Sequence, residues 1–149
     1  MAIRLTTTIH KISSIPNLDN STILRDFYEY MKADGTSENY QNQNLNAMIV
    51  FATFLGPDTI FDIKSKQQII AFLDTRIRNS DIDPDKRWIT TWNDYLWRIN
   101  YFLRWLHNHK DREQKGMEPR QQPDWITPSF ANIKKKKTKR ISPYLETLL

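Results

Sequence analysis

The sequence predicts an all-α domain, a bundle of four to five helices followed by a basic, extended C-terminal linker. Three observations carry this. Only three glycines among 149 residues leave little material for tight turns. Five Trp, six Tyr and seven Phe within a 39% hydrophobic chain are enough to fill one compact core. Apolar residues recur at i, i+3 and i+4 in four separate stretches, the period of a helix that buries one face.

Residues 1–18 read as a loose N-terminal arm. Thr6, Thr7 and Thr8 are β-branched, no period follows them, and Pro16 stops any element there. A first helix is expected from about Ser21 to Ala33, capped by Asn20 or Ser21, striped by Ile23, Leu24, Phe27 and Met31, and ended by Gly35. A second fits Ser37 to about Leu55. Leu45, Met48, Ile49, Ala52 and Leu55 form its apolar side, and Gly56-Pro57 stops it. Its first half is a run of amides from Asn39 to Asn46, middling to poor helix formers.

Ser65 with Gln68 three residues on matches a capping box and opens a third helix, with Ile69, Ile70, Leu73 and Ile77 buried. Asn79 to Arg87 is a polar loop. A fourth helix is expected to be capped by Thr91, with Asp94 completing the box. It is striped by Tyr95, Leu96, Ile99, Phe102, Leu103 and Leu106 and ends near His109. Residues 19–110 thus form the helical body and 111–141 a basic linker, in which Trp125, Pro128 and Phe130 can dock on the body.

The net charge of +5 is unevenly placed. Residues 1–109 hold 12 Lys/Arg and 12 Asp/Glu, whereas residues 110–141 hold 10 Lys/Arg and 4 Asp/Glu. A basic tail on a neutral body suits an anionic polymer. The absence of cysteine excludes disulfides, thiolate metal sites and cysteine nucleophiles. No run is long enough for a membrane span and none near the N-terminus resembles a signal peptide, so a cytoplasmic location is expected.

Enzymatic chemistry finds little footing. His10 lies in the arm, and His107 and His109 do not share a helix face, so the dipole at a helix C-terminus accounts for them best. Asp81, Asp83 and Asp85 alternate like a calcium loop but lack its glycine and closing glutamate. No metal, cofactor or small-molecule substrate is expected, and catalysis by this chain alone is not.

Nucleic-acid recognition fits better. Asn39, Gln41 and Asn42, with Ser37 and Tyr40 beside them, suit base edges and phosphates. Lys86, Arg87, Thr90, Thr91, Asn93 and Arg98 gather around the start of the fourth helix, where backbone N–H groups suit a phosphate oxygen. Lys134, Lys135, Lys136, Lys137, Lys139 and Arg140 form a cluster that binds phosphate without reading sequence. Asn39, Gln41, Asn42, Thr91, Asn93 and Arg98 are the candidate base readers.

Thr36-Ser37-Glu38-Asn39-Tyr40, then Leu45 and Phe51 to Leu55, resembles the second helix of the N-terminal core-binding domain of tyrosine recombinases, the phage-type integrases. Arg87 to Leu96, with Ile99, Phe102 and Trp105-Leu106, is similar to that domain's fourth helix. Trp125 to Pro128 and the lysine cluster resemble the linker into the catalytic domain, and Ser142-Pro143-Tyr144 its first residues. The likeness is to archaeal integrases and spans about residues 19 to 146. It implies a SAM-like bundle forming half of a clamp around double-stranded DNA, helices two and four facing the major groove, in a parent protein that oligomerises on DNA. Residues 142–149 then begin a catalytic domain that is absent here, and none of the tyrosines is carried over as nucleophile. A stand-alone helical DNA-binding regulator and a protein-interaction bundle are the alternatives.

On this reading the chain forms no covalent intermediate. Incubated with a recombination-site duplex and resolved on a denaturing gel, it is expected to leave no protein–DNA adduct; a phosphotyrosine-linked band overturns that expectation.

Overall fold

A computed structural model describes residues 2–77 and 87–136. All the regular structure in them is helical: α1 (Ala2–Lys11), α2 (Leu18–Ala33), α3 (Glu38–Leu55), α4 (Lys66–Thr75), α5 (Arg87–Trp105) and the short α6 (Asp111–Gln114). The expected loop at 79–86, Lys137, Lys139, Arg140 and the stretch 142–149 lie outside the described residues, as does the Arg87 side chain.

The loose-arm expectation is corrected first. Residues 2–11 form α1, which packs on α3, and a 3₁₀ turn (Ile12–Ser14) follows it. Leu5, Thr8 and Ile12 are buried at three- and four-residue spacing. Three threonines mask the stripe, because their β-branched side chains read as weak helix formers while their methyl groups still pack. The Ser21 hydroxyl, buried in α2, donates to the Ile12 carbonyl at 2.9 Å and closes this turn.

The cap of α2 is Asn17, whose side chain accepts from the Asn20 N–H. Asn20 and Ser21, expected as caps, are instead buried within the helix. Asn20 is fully enclosed and serves a distant loop: its amide donates to the Asp58 carbonyl and accepts from the Ile60 N–H, each at 2.9 Å. At the far end Gly35 sits at φ +81°. The Thr36 N–H reaches back to the Met31 carbonyl at 3.3 Å and the Gly35 N–H to Lys32 at 3.2 Å, a Schellman closure.

Ser37 caps α3, and Gly56 at φ +61° ends it. The Ser65–Gln68 capping box opens α4 as the sequence indicates. Its buried side is Ile69, Phe72 and Leu73. Helix α5 begins at Arg87, so Thr91 lies inside it and is not its cap. Nor does it stop at His109. Residues Leu106–Lys110 form a π-helical turn that runs on into α6.

The core is one aromatic-rich cluster. Phe27 of α2 lies edge-on to Tyr101 and Phe102 and within 5.1 Å of Trp105, all from α5. Phe51 of α3 meets Phe72 of α4 at 4.9 Å. Phe27, Phe51, Phe72 and Phe102 are fully buried, each removing on the order of 2–3 kcal/mol of apolar surface from water.

Asn20→Ala leaves the Ile60 N–H and the Asp58 carbonyl unbonded beneath α2. Urea denaturation is expected to show a loss of about 2 kcal/mol. A change under about half a kcal/mol, the range of ordinary surface substitutions, shows that the loop finds other partners.

Candidate nucleic-acid interface

The C-terminal segment expected as a linker runs back along α5, antiparallel to it. Three asparagines hold it. Asn108, fully buried, donates through Nδ2 to the Ile126 carbonyl at 2.8 Å and accepts the Ile126 N–H at 2.9 Å. Asn100 donates to the Ala131 carbonyl at 2.9 Å. Asn93 donates to the Lys136 carbonyl at 2.7 Å and accepts its N–H at 2.8 Å.

Asn93 and Asn100 are seven residues apart, two helical turns, and so share a face. Asn108 is eight beyond Asn100. The π turn takes up the extra residue and brings it back to the same segment. Trp125, Pro128 and Phe130 dock as the sequence suggests, with Ala131 beside them. Trp125 packs on Tyr30 and Tyr101 and donates to the Arg120 carbonyl at 2.9 Å, while Pro128 and Ala131 are buried.

The path delivers the lysines to the N-terminal third of α5. Lys134 and Lys135 are exposed there. Lys136 is half-buried, its ammonium 4.7 Å from the Trp92 ring and 5.6 Å from Trp88.

Beside them α3 meets α5. Tyr40 packs edge-on to Trp97 and Tyr101. Burial raises the phenol pKa values of Tyr40, Tyr101 and Tyr30, and the Tyr101 hydroxyl is bonded to that of Tyr40, so all three stay neutral. Arg98 joins the helices: Nε donates to Asp94 at 3.2 Å and Nη2 to the Gln43 carbonyl oxygen at 3.0 Å.

The expected contact residues divide accordingly. Ser37, Asn39 and Thr90 are exposed. Tyr40, Asn93, Arg98, Lys135 and Lys136 come together along α5 and its seam with α3. Gln41 turns inward, 4% exposed, with its amide on the Thr36 carbonyl at 2.9 Å and hydroxyl at 3.2 Å. Asn42 faces α1, where it accepts from the Thr8 hydroxyl. Asn93 is occupied by Lys136, and most of the Arg98 side chain is engaged and only 13% exposed. Thr91 is half-buried mid-helix.

Trp97 and Arg104 are not among the residues that the sequence singles out. Trp97, 52% exposed beside Arg98, is the one with a legible signal: an aromatic on the polar side of an amphipathic helix. His107 and His109 lie in the π turn, not at a helix end. Burial lowers the His107 pKa, with Arg120 adding to it, and His109 Nδ1 meets Glu113 at 2.9 Å. Among the described residues no three His, Asp or Glu side chains are grouped to hold a metal, and no helix is long and apolar enough to cross a membrane.

Comparison with protein families, with curated proteins and with solved structures finds no match to this chain.

The asparagine ladder separates cleanly by variant. Asn93→Ala is expected to open the Lys136 amide to hydrogen exchange while Ile126 stays protected. Asn108→Ala is expected to open Ile126 and to cost about 2 kcal/mol of stability. Equal exchange at both amides in both variants means the segment is held by its apolar contacts alone.

Proposed function

We propose that this chain grips double-stranded DNA, as the core-binding domain of a tyrosine recombinase does, and performs no bond chemistry itself. The observation that carries the reading is the return of the lysine-bearing segment to α5, where Lys134 and Lys135 stand exposed beside the α3–α5 seam. The body, residues 1–109, has no net charge, so the chain's net positive charge comes from the residues beyond it. Lys137, Lys139 and Arg140 follow Lys136 directly in the chain and extend the same charge.

Exposed Ser37 and Asn39 at the start of α3 and Thr90 in α5 supply short polar side chains. These have the length and chemistry to approach phosphates or base edges in a groove about 12 Å wide. Gln41, Asn42 and Asn93 have structural partners and drop out as first choices for base reading. Arg98 keeps one nitrogen, Nη1, without a partner. It serves best as a positioned cation between the two helices.

Duplex binding is expected to be weak and strongly salt-dependent. With about four to six tail charges on phosphates, log K against log salt should fall with a slope of about −4 to −5. Replacing Lys134, Lys135, Lys136 and Lys137 together by alanine should flatten it. A gel-shift titration at several salt concentrations measures both, and an unchanged slope in the variant removes the tail from the DNA backbone.

A further inference from the structure

Between α5 and the returning segment lies a cavity of about 270 Å³ whose lining includes Asn93, Trp97, Tyr101, Arg104, Ile133 and Lys135. No carboxylate lines it, while Arg104 and Lys135 bring two cations. Arg104 is held with its guanidinium 5.7 Å from the Trp125 ring, and its buried Nε has no hydrogen-bond partner. A buried charged donor left without an acceptor is costly unless an anion completes it. Of the two asparagines on this wall, Asn93 bonds the Lys136 backbone through both its amide atoms and Asn100 donates to the Ala131 carbonyl, and neither accepts from Arg104 Nε.

The outer wall is aromatic. Trp97 is 52% exposed and lies nearly parallel to Tyr101, ring centroids 6.0 Å apart. An exposed indole face accepts a planar group by stacking, and it does so for any nucleobase because every base has a π-face. Paired cations and an open indole around one small cavity are the complement of a phosphate joined to a flat heterocycle. The volume lies just below the usual range for small-molecule sites, roughly 300–1,000 Å³, which suits one such unit and not a duplex.

We propose that this cavity binds a single nucleotide unit, its phosphate between Arg104 and Lys135 and its base against Trp97. Free nucleotide and an unpaired nucleotide of a DNA strand share this chemistry. The inference goes beyond duplex binding and does not depend on it.

The test uses the full chain, calorimetric titration, and four probes: deoxyadenosine 5′-monophosphate, deoxyadenosine, inorganic phosphate and a short single-stranded oligonucleotide. The monophosphate is expected to bind in or below the millimolar range, with the nucleoside and phosphate each about tenfold weaker. Arg104→Gln and Trp97→Leu should each weaken the monophosphate about tenfold, Lys135→Gln by less, and Lys66→Gln on α4 not at all. Trp97 and Lys135 are surface residues, so their variants remain informative if Arg104→Gln melts early. An oligonucleotide that displaces the monophosphate identifies the strand as the source of the unit; one that does not identifies the free nucleotide, and both support the site. Absence of binding by every probe, or binding untouched by Trp97→Leu and Arg104→Gln, overturns it. A duplex gel shift in the same buffer keeps the two readings apart: monophosphate binding untouched by both variants removes the cavity and leaves the DNA grip standing, whereas loss of the duplex shift with monophosphate binding intact removes the DNA grip and leaves the cavity.

Discussion

A segment that lies against a helix without joining a sheet carries backbone groups the helix cannot satisfy, because the helix's own amides already bond one another. Unbonded and half-buried, each such group costs about 1–3 kcal/mol. The chain meets this constraint with side chains. Asn93 and Asn100 of α5 and Asn108 of the π turn that continues it present amides along one side, and each takes one residue of the returning segment. The same device works at α2, where Asn17 donates to the Pro57 carbonyl and Asn20 bonds both Asp58 and Ile60. Asparagine suits the task because its amide carries one donor group and one acceptor at the spacing of a peptide.

That arrangement asks α5 to be two things at once. Ile99, Phe102, Leu103 and Trp105 enter the core against α2 and its neighbours. The Asn93–Asn108 side holds the C-terminal segment. The π turn at Leu106–Lys110 reconciles the two, since the extra residue lets Asn108 keep its place on the segment while the helix axis continues into α6. The proposed grip on DNA rests on the course of that segment. A lysine run on a free tail samples all directions, whereas here Lys135 lines a cavity with Trp97 and Lys136 lies over Trp92 on α5.

Local signals were read well wherever a few neighbouring residues decide the conformation. The Ser65–Gln68 box and Gly35 and Gly56 at positive φ all act within a single turn, and each lies where the sequence indicates. Thr91 shows the limit. It has the residue type and spacing of a cap, but α5 starts at Arg87, so the threonine is an interior residue that resembles one. Helix α1 shows another. Its stripe of Leu5, Thr8 and Ile12 is weak alone and becomes persuasive only with α3 beside it. The same helix takes Asn42, expected at DNA, as the partner of Thr8, while Gln41, expected there too, is buried on Thr36.

By itself the sequence determined the helical class, the main apolar stripes of α2 to α5, the end of α2, both ends of α3, the start of α4 and the concentration of positive charge beyond residue 109. These depend on period, caps and composition, which are local or additive quantities. Only the tertiary structure decided which polar residues face outward, since an asparagine has the same chemistry whether it meets solvent, a neighbouring helix or a passing backbone. The path of residues 126–136 was likewise decided there, because it depends on three side chains matched in register to a segment 18 to 43 residues further along the chain.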